Sequence, residues 1–158
     1  MPSPNTRRAT HADVARIMEI RHGVWENRLS DPNSVTTADC MAFIDTAEMW
    51  VWTDDAGQVQ GFSAGDPRDG SIWALFVDPV HEGRGLGRIL LACACHTVRS
   101  AGFSTATLST DPGTRAERFY RMNGWIETGR NAKGEIVFQL RLVDPDDPSA
   151  APAEAILL

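Results

Sequence analysis

Apolar residues recur at helical spacing in four stretches of the chain. An amphipathic helix carries apolar side chains three or four residues apart, so that they share one face. The stretches with this spacing are 13–25, a short segment with Met41, Phe43 and Ile44, 86–101 and 114–122. Asp13 is the predicted N-cap of the first helix and Thr37 or Asp39 that of the second, and Gly102 ends the third.

Seven other segments alternate apolar and polar residues, or are apolar throughout, as strands are. They are 6–10, 48–53, 58–64, 71–77, 104–109, 125–128 and 135–142. Residues 71–77, SIWALFV, are apolar almost without a break, which predicts a central strand buried on both faces. Because hairpins surround the long helix, the pattern predicts an α/β fold with a mixed, mostly antiparallel sheet.

Length and composition fit one globular domain. Hydrophobic residues make up 42% of the 158 positions, and a segment rich in Pro, Asp and Ala follows residue 143. We therefore expect a single domain over 1–143 and an extended tail over 144–158. The last four residues, AILL, are a candidate contact in a homodimer, which is the commonest soluble assembly.

Charge, cysteine content and hydropathy exclude several classes of function. The net charge of −6 lacks the basic footprint of nucleic-acid binders. The three cysteines form no Cys-x-x-Cys pair, and no His-rich cluster accompanies them, so we expect no metal site. The N-terminal residues lack the apolar run of a signal peptide, and no stretch approaches the roughly 18 apolar residues of a membrane span. These features predict a cytoplasmic protein without nucleic-acid or membrane partners.

The segment after the apolar strand carries the clearest chemical signal. Residues 83–88, GRGLGR, stand where the long helix begins. A helix start presents unpaired N–H groups and the positive end of the helix dipole, and glycines let a phosphate approach the backbone. Arg84 and Arg88 add positive charge, so the turn is a candidate pyrophosphate site. Glycines that serve only the shape of a tight turn are the alternative.

Two nucleotide-binding patterns fit this turn poorly. A P-loop requires Gly-Lys-Ser/Thr, which the chain lacks. The dinucleotide fingerprint Gly-x-Gly-x-x-Gly opens a first βα unit, whereas these glycines are evenly spaced, lie mid-chain and follow antiparallel hairpins. The turn therefore favours a different ligand that carries a pyrophosphate.

Two blocks together resemble the GCN5-related N-acetyltransferase (GNAT) family. LFVDP at 75–79, followed by GRGLGR at 83–88, is similar to the family's motif A. RFYRMNGW at 118–125 is similar to its second hallmark, an aromatic-Tyr pair shortly before a Gly-aromatic pair. The resemblance covers roughly residues 6–142. It implies a GNAT fold in which about six to seven strands form a sheet with a V-shaped splay, flanked by about four helices.

The resemblance also implies acetyl-CoA as co-substrate and roles for individual residues. The backbone of Leu75, Phe76 and Val77 is expected to hold the pantetheine arm, with an N–H near Phe76 or Val77 polarising the thioester carbonyl. Tyr120 is expected to act as general acid and to protonate the departing thiolate. The pyrophosphate is expected on the turn, at Gly83, Arg84, Gly85, Leu86, Gly87 and Arg88.

Glu82 departs from the pattern, because the family often has Gln or Arg at this position. An acidic side chain would repel a pyrophosphate, so we expect Glu82 to point away or to pair with Arg84. Arg115 and Arg118 are either phosphate contacts or solvated charges on their helix.

The proton acceptor and the acceptor pocket each have several candidates. The base is either a water chain or one of four carboxylates, Glu26, Asp66, Asp111 and Glu127. Glu26 is preferred because the loop after the first helix often shapes the acceptor pocket in this family. Trp25 and Trp73 are candidate walls of that pocket, and a core position is equally open to both.

Acetylation of a primary amine on a small molecule, by direct attack in a ternary complex, is the leading hypothesis. Acetylation of a protein N-terminus or lysine is the second. The third is an acyl-CoA-binding sensor that performs no catalysis, which a turnover assay would separate from the other two.

Overall fold

The structure, a computed structural model, describes residues 5–24 and 35–142, which form four helices and seven strands. The helices are α1 (Val14–Val24), α2 (Thr37–Thr46), α3 (Leu86–Ser100) and α4 (Arg115–Met122). The strands are β1 (Thr6–Arg8), β2 (Met49–Thr53), β3 (Val59–Gly65), β4 (Ile72–Val77), β5 (Thr105–Thr110), β6 (Ile126–Arg130) and β7 (Ile136–Arg141). The predicted α/β class is confirmed. None of the helices in these ranges has the length and apolar character needed to cross a membrane.

The strands form two antiparallel sheets, with the orders β1-β2-β3-β4 and β5-β7-β6. A parallel bridge between Ser71 and Thr107 joins them, and the Thr107 N–H donates to the Gly70 carbonyl at 3.0 Å. β4 and β5 therefore start side by side and then diverge. This divergence is the V-shaped splay that the sequence predicted.

Apolar side chains cover both faces of the first sheet. α1 and α2 pack on one face through Ile17, Ile20 and Phe43, and α3 packs on the other through Leu90. Gly65 of β3 permits the close approach of α3, because a Cβ at this position would overlap the carbonyl oxygen of Ala94. The second sheet buries its own cluster under α4, with Leu108, Tyr120, Trp125 and Phe138.

Two predicted N-caps are wrong by a few residues. The first helix opens with a 3-10 turn whose N-cap is Thr10, and Asp13 accepts the Thr10 N–H at 2.8 Å. The N-cap of α2 is Thr36, whose side chain accepts the Asp39 N–H, in place of Thr37 or Asp39 itself. In both helices the acidic residue occupies the third helical position, where it returns a hydrogen bond to the N-cap backbone.

β4 is less buried than predicted. The strand begins at Ile72, and Ala74 is its fully buried residue, while the other five are half-buried. The reason is the splay, because beyond Ser71 the sheet opens on the side of β4 that faces β5. The continuous apolar run therefore marks a strand that lines a cleft between the two sheets.

Candidate active site

The edge of β4 that faces β5 presents backbone groups to the splay. The Asp78 N–H donates to the Gln60 carbonyl at 2.8 Å, which fixes the phase of the antiparallel ladder with β3. Antiparallel strands direct the N–H and C=O of alternate residues to the same neighbour. Phe76 therefore bonds to β3, whereas Leu75 and Val77 direct their backbone groups into the gap. The backbone of Phe76 does not face the splay, contrary to the prediction.

The glycine turn that follows β4 has an open backbone. Gly83 and Gly85 have φ angles of 81° and 83°, and among the described residues no atom lies within 4 Å of a Cβ built at either position. Gly85 is the N-cap of α3, and the buried Leu86 is its first residue. The first N–H groups of α3 have no acceptor within the helix. The turn therefore offers N–H groups to an anion that can approach closely.

The remaining residues of the turn have separate roles. Gly87 packs against α4, because a Cβ at this position would lie 3.4 Å from the Phe119 ring. Arg88 donates from Nε to Asn123 Oδ1 at 3.1 Å, which joins α3 to the end of α4. Arg84 has no acidic partner within the described part of the chain. Arg84 can therefore turn toward an anion without breaking an ion pair, whereas Arg88 would give up its hydrogen bond to Asn123.

Glu82 pairs with Arg115 at 2.7 Å, which corrects the expected pairing with Arg84. Arg115 is the first residue of α4, so the ion pair links the glycine turn to the helix that carries Tyr120. The guanidinium offsets the negative charge that Glu82 brings to the turn. Arg115 was one of the two cations predicted either to meet a phosphate or to be solvated, and its guanidinium holds Glu82.

A contact that the sequence did not indicate anchors the start of the turn to α1. Asp78 accepts the Val80 N–H with Oδ1 at 3.0 Å and Arg16 Nη2 with Oδ2 at 2.9 Å. Arg16 also donates to the Val59 carbonyl and to Gln60 Oε1, each at 2.9 Å. Arg16 and Asp78 are 62 residues apart, so no local pattern signals the pair. The network holds the chain rigidly where it leaves β4.

Tyr120 lies on α4, in the buried cluster of the second sheet. Its ring meets those of Trp125 at 5.7 Å and Phe138 at 6.1 Å, measured between centroids. Leu75 of β4 also packs against this cluster. Tyr120 and Leu75 therefore border one apolar cluster that spans the two sheets.

Asp111 lies across the splay from Leu75. Starting from the Ser71–Thr107 bridge, each of these residues is four positions further along its parallel chain. β5 ends at Thr110, and Asp111 follows it directly, at the end of the strand that is remote from the bridge. Asp111 is buried and forms no ion pair with any residue that the structure describes.

The other candidate bases are placed less favourably. Asp66 is tied to Arg68, and the hydrogen bond from that guanidinium lowers the pKa of the Asp66 carboxyl, which weakens it as a base. Glu127 lies on the outer strand β6 and pairs with Arg121 at 2.7 Å. Glu26, the preferred base, and Trp25, a predicted pocket wall, lie outside the described residues.

Trp73 lies on the α2 side of β4. An irregularity in the β3–β4 register next to Gly65 places Trp73 in the same core cluster as its neighbour Ala74. Its ring stacks on Phe43 with a centroid distance of 4.5 Å. Trp73 also lines a pocket of about 390 Å³ between α2 and the β3–β4 turn. In the structure Trp73 therefore belongs to the core and also lines this pocket.

The sequence profile of the acetyltransferase (GNAT) family matches residues 14–125, which include the splayed strand, the glycine turn and the Tyr120 helix. The chain belongs to the GNAT acetyltransferase family. The splay and the open turn are thus features of a GNAT domain. Within the described ranges, this domain brings together no group of three or more His, Cys, Asp or Glu residues suited to hold a metal ion.

Several relatives resemble this GNAT chain over different lengths. Mycothiol acetyltransferase of Rhodococcus erythropolis is 34% identical over 68 residues, which are 43% of this chain but only 23% of that protein. Peptidyl-lysine N-acetyltransferase YjaB of Salmonella typhimurium is 29% identical over 133 residues, covering 80% of this chain and 86% of YjaB. The structure of Salmonella typhimurium YncA with its cofactor acetyl-CoA has a TM-score of 0.71 at 24% identity, covering 92% of this chain and 98% of YncA. That structural likeness shows a shared fold.

Replacing Gly85 with Ala is expected to raise the KM for acetyl-CoA about 10-fold. An L-residue with positive φ is strained by roughly 1–2 kcal/mol, and the new methyl group would stand on the open side of the turn. Steady-state kinetics with varied acetyl-CoA would measure the effect. Gly57→Ala is the matched control, because Gly57 has a φ of 79° and equally open surroundings in the distant β2–β3 turn. An unchanged KM in Gly85→Ala would contradict a pyrophosphate site at this turn.

Replacing Glu82 with Gln should lower the KM for acetyl-CoA about threefold. The substitution removes a negative charge beside the turn and releases Arg115 toward the ligand. The expected effect is small because exposed charges interact weakly. The effect should shrink as the salt concentration rises. Glu127→Gln, which breaks an arginine pair on outer strand β6, should leave this KM unchanged. A higher KM in Glu82→Gln would show that the carboxylate supports the ligand.

Proposed function

We propose that this chain transfers the acetyl group of acetyl-CoA to the primary amine of a small molecule, by direct attack in a ternary complex. The observation that carries the proposal is the continuity of two surfaces. The edge of β4 that faces the gap leads, through a single 3-10 turn at Pro79–His81, into the open turn at the start of α3. A ligand with an amide-bearing arm attached to a pyrophosphate matches this arrangement, because the arm can bond to the edge of β4 and the pyrophosphate to the N–H groups of the turn.

The residues present fit acetyl-CoA. Leu75 and Val77 offer N–H and C=O groups to the pantetheine amides, and the N–H groups of 83–88 face the pyrophosphate. Arg84 adds a cation, and the Glu82–Arg115 pair removes the charge that would oppose the ligand. When bound, acetyl-CoA supplies the thioester from which the acetyl group is transferred. The N–H of Val77 is positioned to polarise the thioester carbonyl, because that of Phe76 is used within the sheet.

Tyr120 and Asp111 are proposed to move the protons. Tyr120 belongs to the buried cluster against which Leu75 packs, and it gives its phenolic proton to the departing sulfur as a general acid. Asp111 stands across the gap from Leu75 and takes a proton from the attacking nitrogen.

Acetylation of a lysine side chain in a protein is the second candidate. It is favoured by the match to YjaB of Salmonella typhimurium, a relative named peptidyl-lysine N-acetyltransferase, which covers 80% of this chain. The small-molecule proposal rests instead on the compact pocket beside Trp73, which is bounded by α2 and the β3–β4 turn.

A thiol-release assay against a panel of acceptors tests the proposal. The panel contains small primary amines, lysine-containing peptides and peptides with free N-termini, each at matched concentration with saturating acetyl-CoA. We expect thiol release that depends on the amine and is largest with a small molecule, and initial-velocity lines that intersect. Peptide acceptors that outperform all small amines would favour the second candidate. Binding of acetyl-CoA without thiol release on any acceptor would indicate a sensor and overturn the enzyme proposal.

A further inference from the structure

The pocket beside Trp73 carries charge as well as an aromatic wall. It lies between α2 and the turn that precedes β4. The stacked rings of Phe43 and Trp73 form its apolar side. Arg68 and Asp39 also line it, one on the β3–β4 turn and the other on α2. A pocket of this composition suits a ligand with an apolar stem and charges of both signs.

The guanidinium of Arg68 is held in a fixed orientation by a buried carboxylate. Arg68 Nε donates to Asp66 Oδ1 at 3.0 Å, and Nη2 donates to Oδ2 at 2.8 Å. The Asp66 side chain is 5% exposed and that of Arg68 is 80% exposed. Because a guanidinium has more N–H donors than one carboxylate accepts, Nη1 and part of Nη2 remain for a second carboxylate. The Asp66–Arg68 pair therefore presents an oriented anion-binding group at the pocket.

Asp39 provides the opposite charge. Its Oδ2 accepts the Thr36 N–H at 2.9 Å, which fixes the side chain at the start of α2. Asp39 and Arg68 form no ion pair with each other, so both can meet charges of a ligand between them. An α-amino acid carries such a pair, an ammonium and a carboxylate on one carbon.

The distance from the pocket to the splay sets the length of the ligand. Trp73 precedes Leu75 by two positions on β4, which is about 7 Å along a strand. A flexible four-carbon stem, like that of a lysine side chain, can cross this distance along the apolar wall. Arg21 lies on the same side of β4, with its guanidinium carbon 5.1 Å from the centroid of Phe76. A cation here favours the neutral, nucleophilic form of an arriving amine.

We propose that the acceptor is a free α-amino acid with a second amine at the end of its side chain, of the L-lysine type. The inference rests on the proposed function and names the substrate class of the same site. Arg68 binds the α-carboxylate, Asp39 binds the α-ammonium, and the stem lies on Trp73. The terminal nitrogen forms the bond to the acetyl carbon and loses one proton, while the thioester C–S bond breaks and the CoA sulfur gains one. The product is the terminal N-acetyl amino acid.

The test compares kcat/KM for three acceptors of similar length. L-lysine has both charged groups, cadaverine lacks the carboxylate, and 6-aminohexanoate lacks the α-amine. We expect the kcat/KM of L-lysine to exceed that of each of the others by about 10-fold or more, because hydrogen bonds between charged groups are stronger than those between neutral groups. NMR of the product should place the acetyl group on the terminal nitrogen. Equal kcat/KM for the three acceptors, or acetylation of the α-nitrogen, would overturn the inference. Thiol release with any of these amines would still support the proposed function.

Two variants assign the binding groups. Arg68→Gln should remove the advantage of L-lysine over cadaverine, and Asp39→Asn should remove its advantage over 6-aminohexanoate. Arg8→Gln is the matched control, because Arg8 is also exposed and paired with a carboxylate, that of Glu48 on the far side of the sheet. Both variants change charge at the surface of the fold. The internal reference is kcat/KM for cadaverine in Arg68→Gln and for 6-aminohexanoate in Asp39→Asn, because each of these acceptors lacks the group that the altered residue would bind. An unchanged preference in Arg68→Gln would overturn the assignment.

Discussion

Replacing Tyr120 with Phe should lower kcat about 100-fold and leave the KM for acetyl-CoA within about twofold. General acid catalysis by a positioned side chain contributes on this scale. Phe keeps the ring that packs on Trp125 and Phe138, so the substitution removes the phenolic hydroxyl while retaining the aromatic packing. The CoA thiolate would then leave without its proton donor, and steady-state kinetics at saturating amine would report the change in kcat.

The control for Tyr120→Phe is Thr128→Val. It removes a hydroxyl from β6, the outer strand of the sheet on which α4 packs. Its kcat should match that of the wild type. Thermal unfolding of both variants would check that the loss of turnover does not follow from a loss of fold. A kcat of Tyr120→Phe equal to that of the wild type would contradict the role of Tyr120 as general acid.

Replacing Asp111 with Asn should also lower kcat about 100-fold, because the attacking nitrogen loses the group that accepts its proton. Asn is nearly isosteric and keeps polar atoms at this buried position, but it cannot accept a proton at neutral pH. Steady-state kinetics at saturating amine would report the loss. Thermal unfolding of the variant separates this loss from a general weakening of the protein.

Asp45→Asn on α2 is the control, because it removes a carboxylate that bonds His11 at an exposed position away from the splay. Its kcat should match that of the wild type. An Asp111→Asn variant that keeps the wild-type kcat would exclude Asp111 as the base. Asp111 would then be a buried residue of structural importance only.

Features that depend on a few consecutive residues could be predicted from the sequence. The alternation along residues 58–64 predicted β3, and the glycine spacing of 83–88 predicted the open turn, because turns and helix starts depend on local backbone preferences. Tyr120 was singled out because its block resembles a family motif. In the structure Tyr120 belongs to a buried cluster that Leu75 of β4 also contacts, and its role as general acid stays a prediction.

Features that depend on distant contacts could not be predicted in the same way. The half-buried side chains of β4 follow from the splay between the sheets, which an apolar run does not reveal. The pairing of Glu82 with Arg115 depends on how α4 approaches the turn. Asp111 was one of four candidate carboxylates, of which Glu26 was preferred, and its position across the gap from Leu75 follows from the bridge between Ser71 and Thr107. Each case involves residues that are far apart in the chain.

Transfer of a labelled acetyl group from acetyl-CoA to an amine tests the central claim most directly. The protein would be incubated with acetyl-CoA labelled on the carbonyl carbon and with L-lysine or another small primary amine, and both products would be quantified by mass spectrometry. The account predicts one labelled N-acetyl amine for each CoA thiol released, and a large reduction of both in Tyr120→Phe and Asp111→Asn. Binding of acetyl-CoA without any labelled amide, for every amine and peptide supplied, would contradict it.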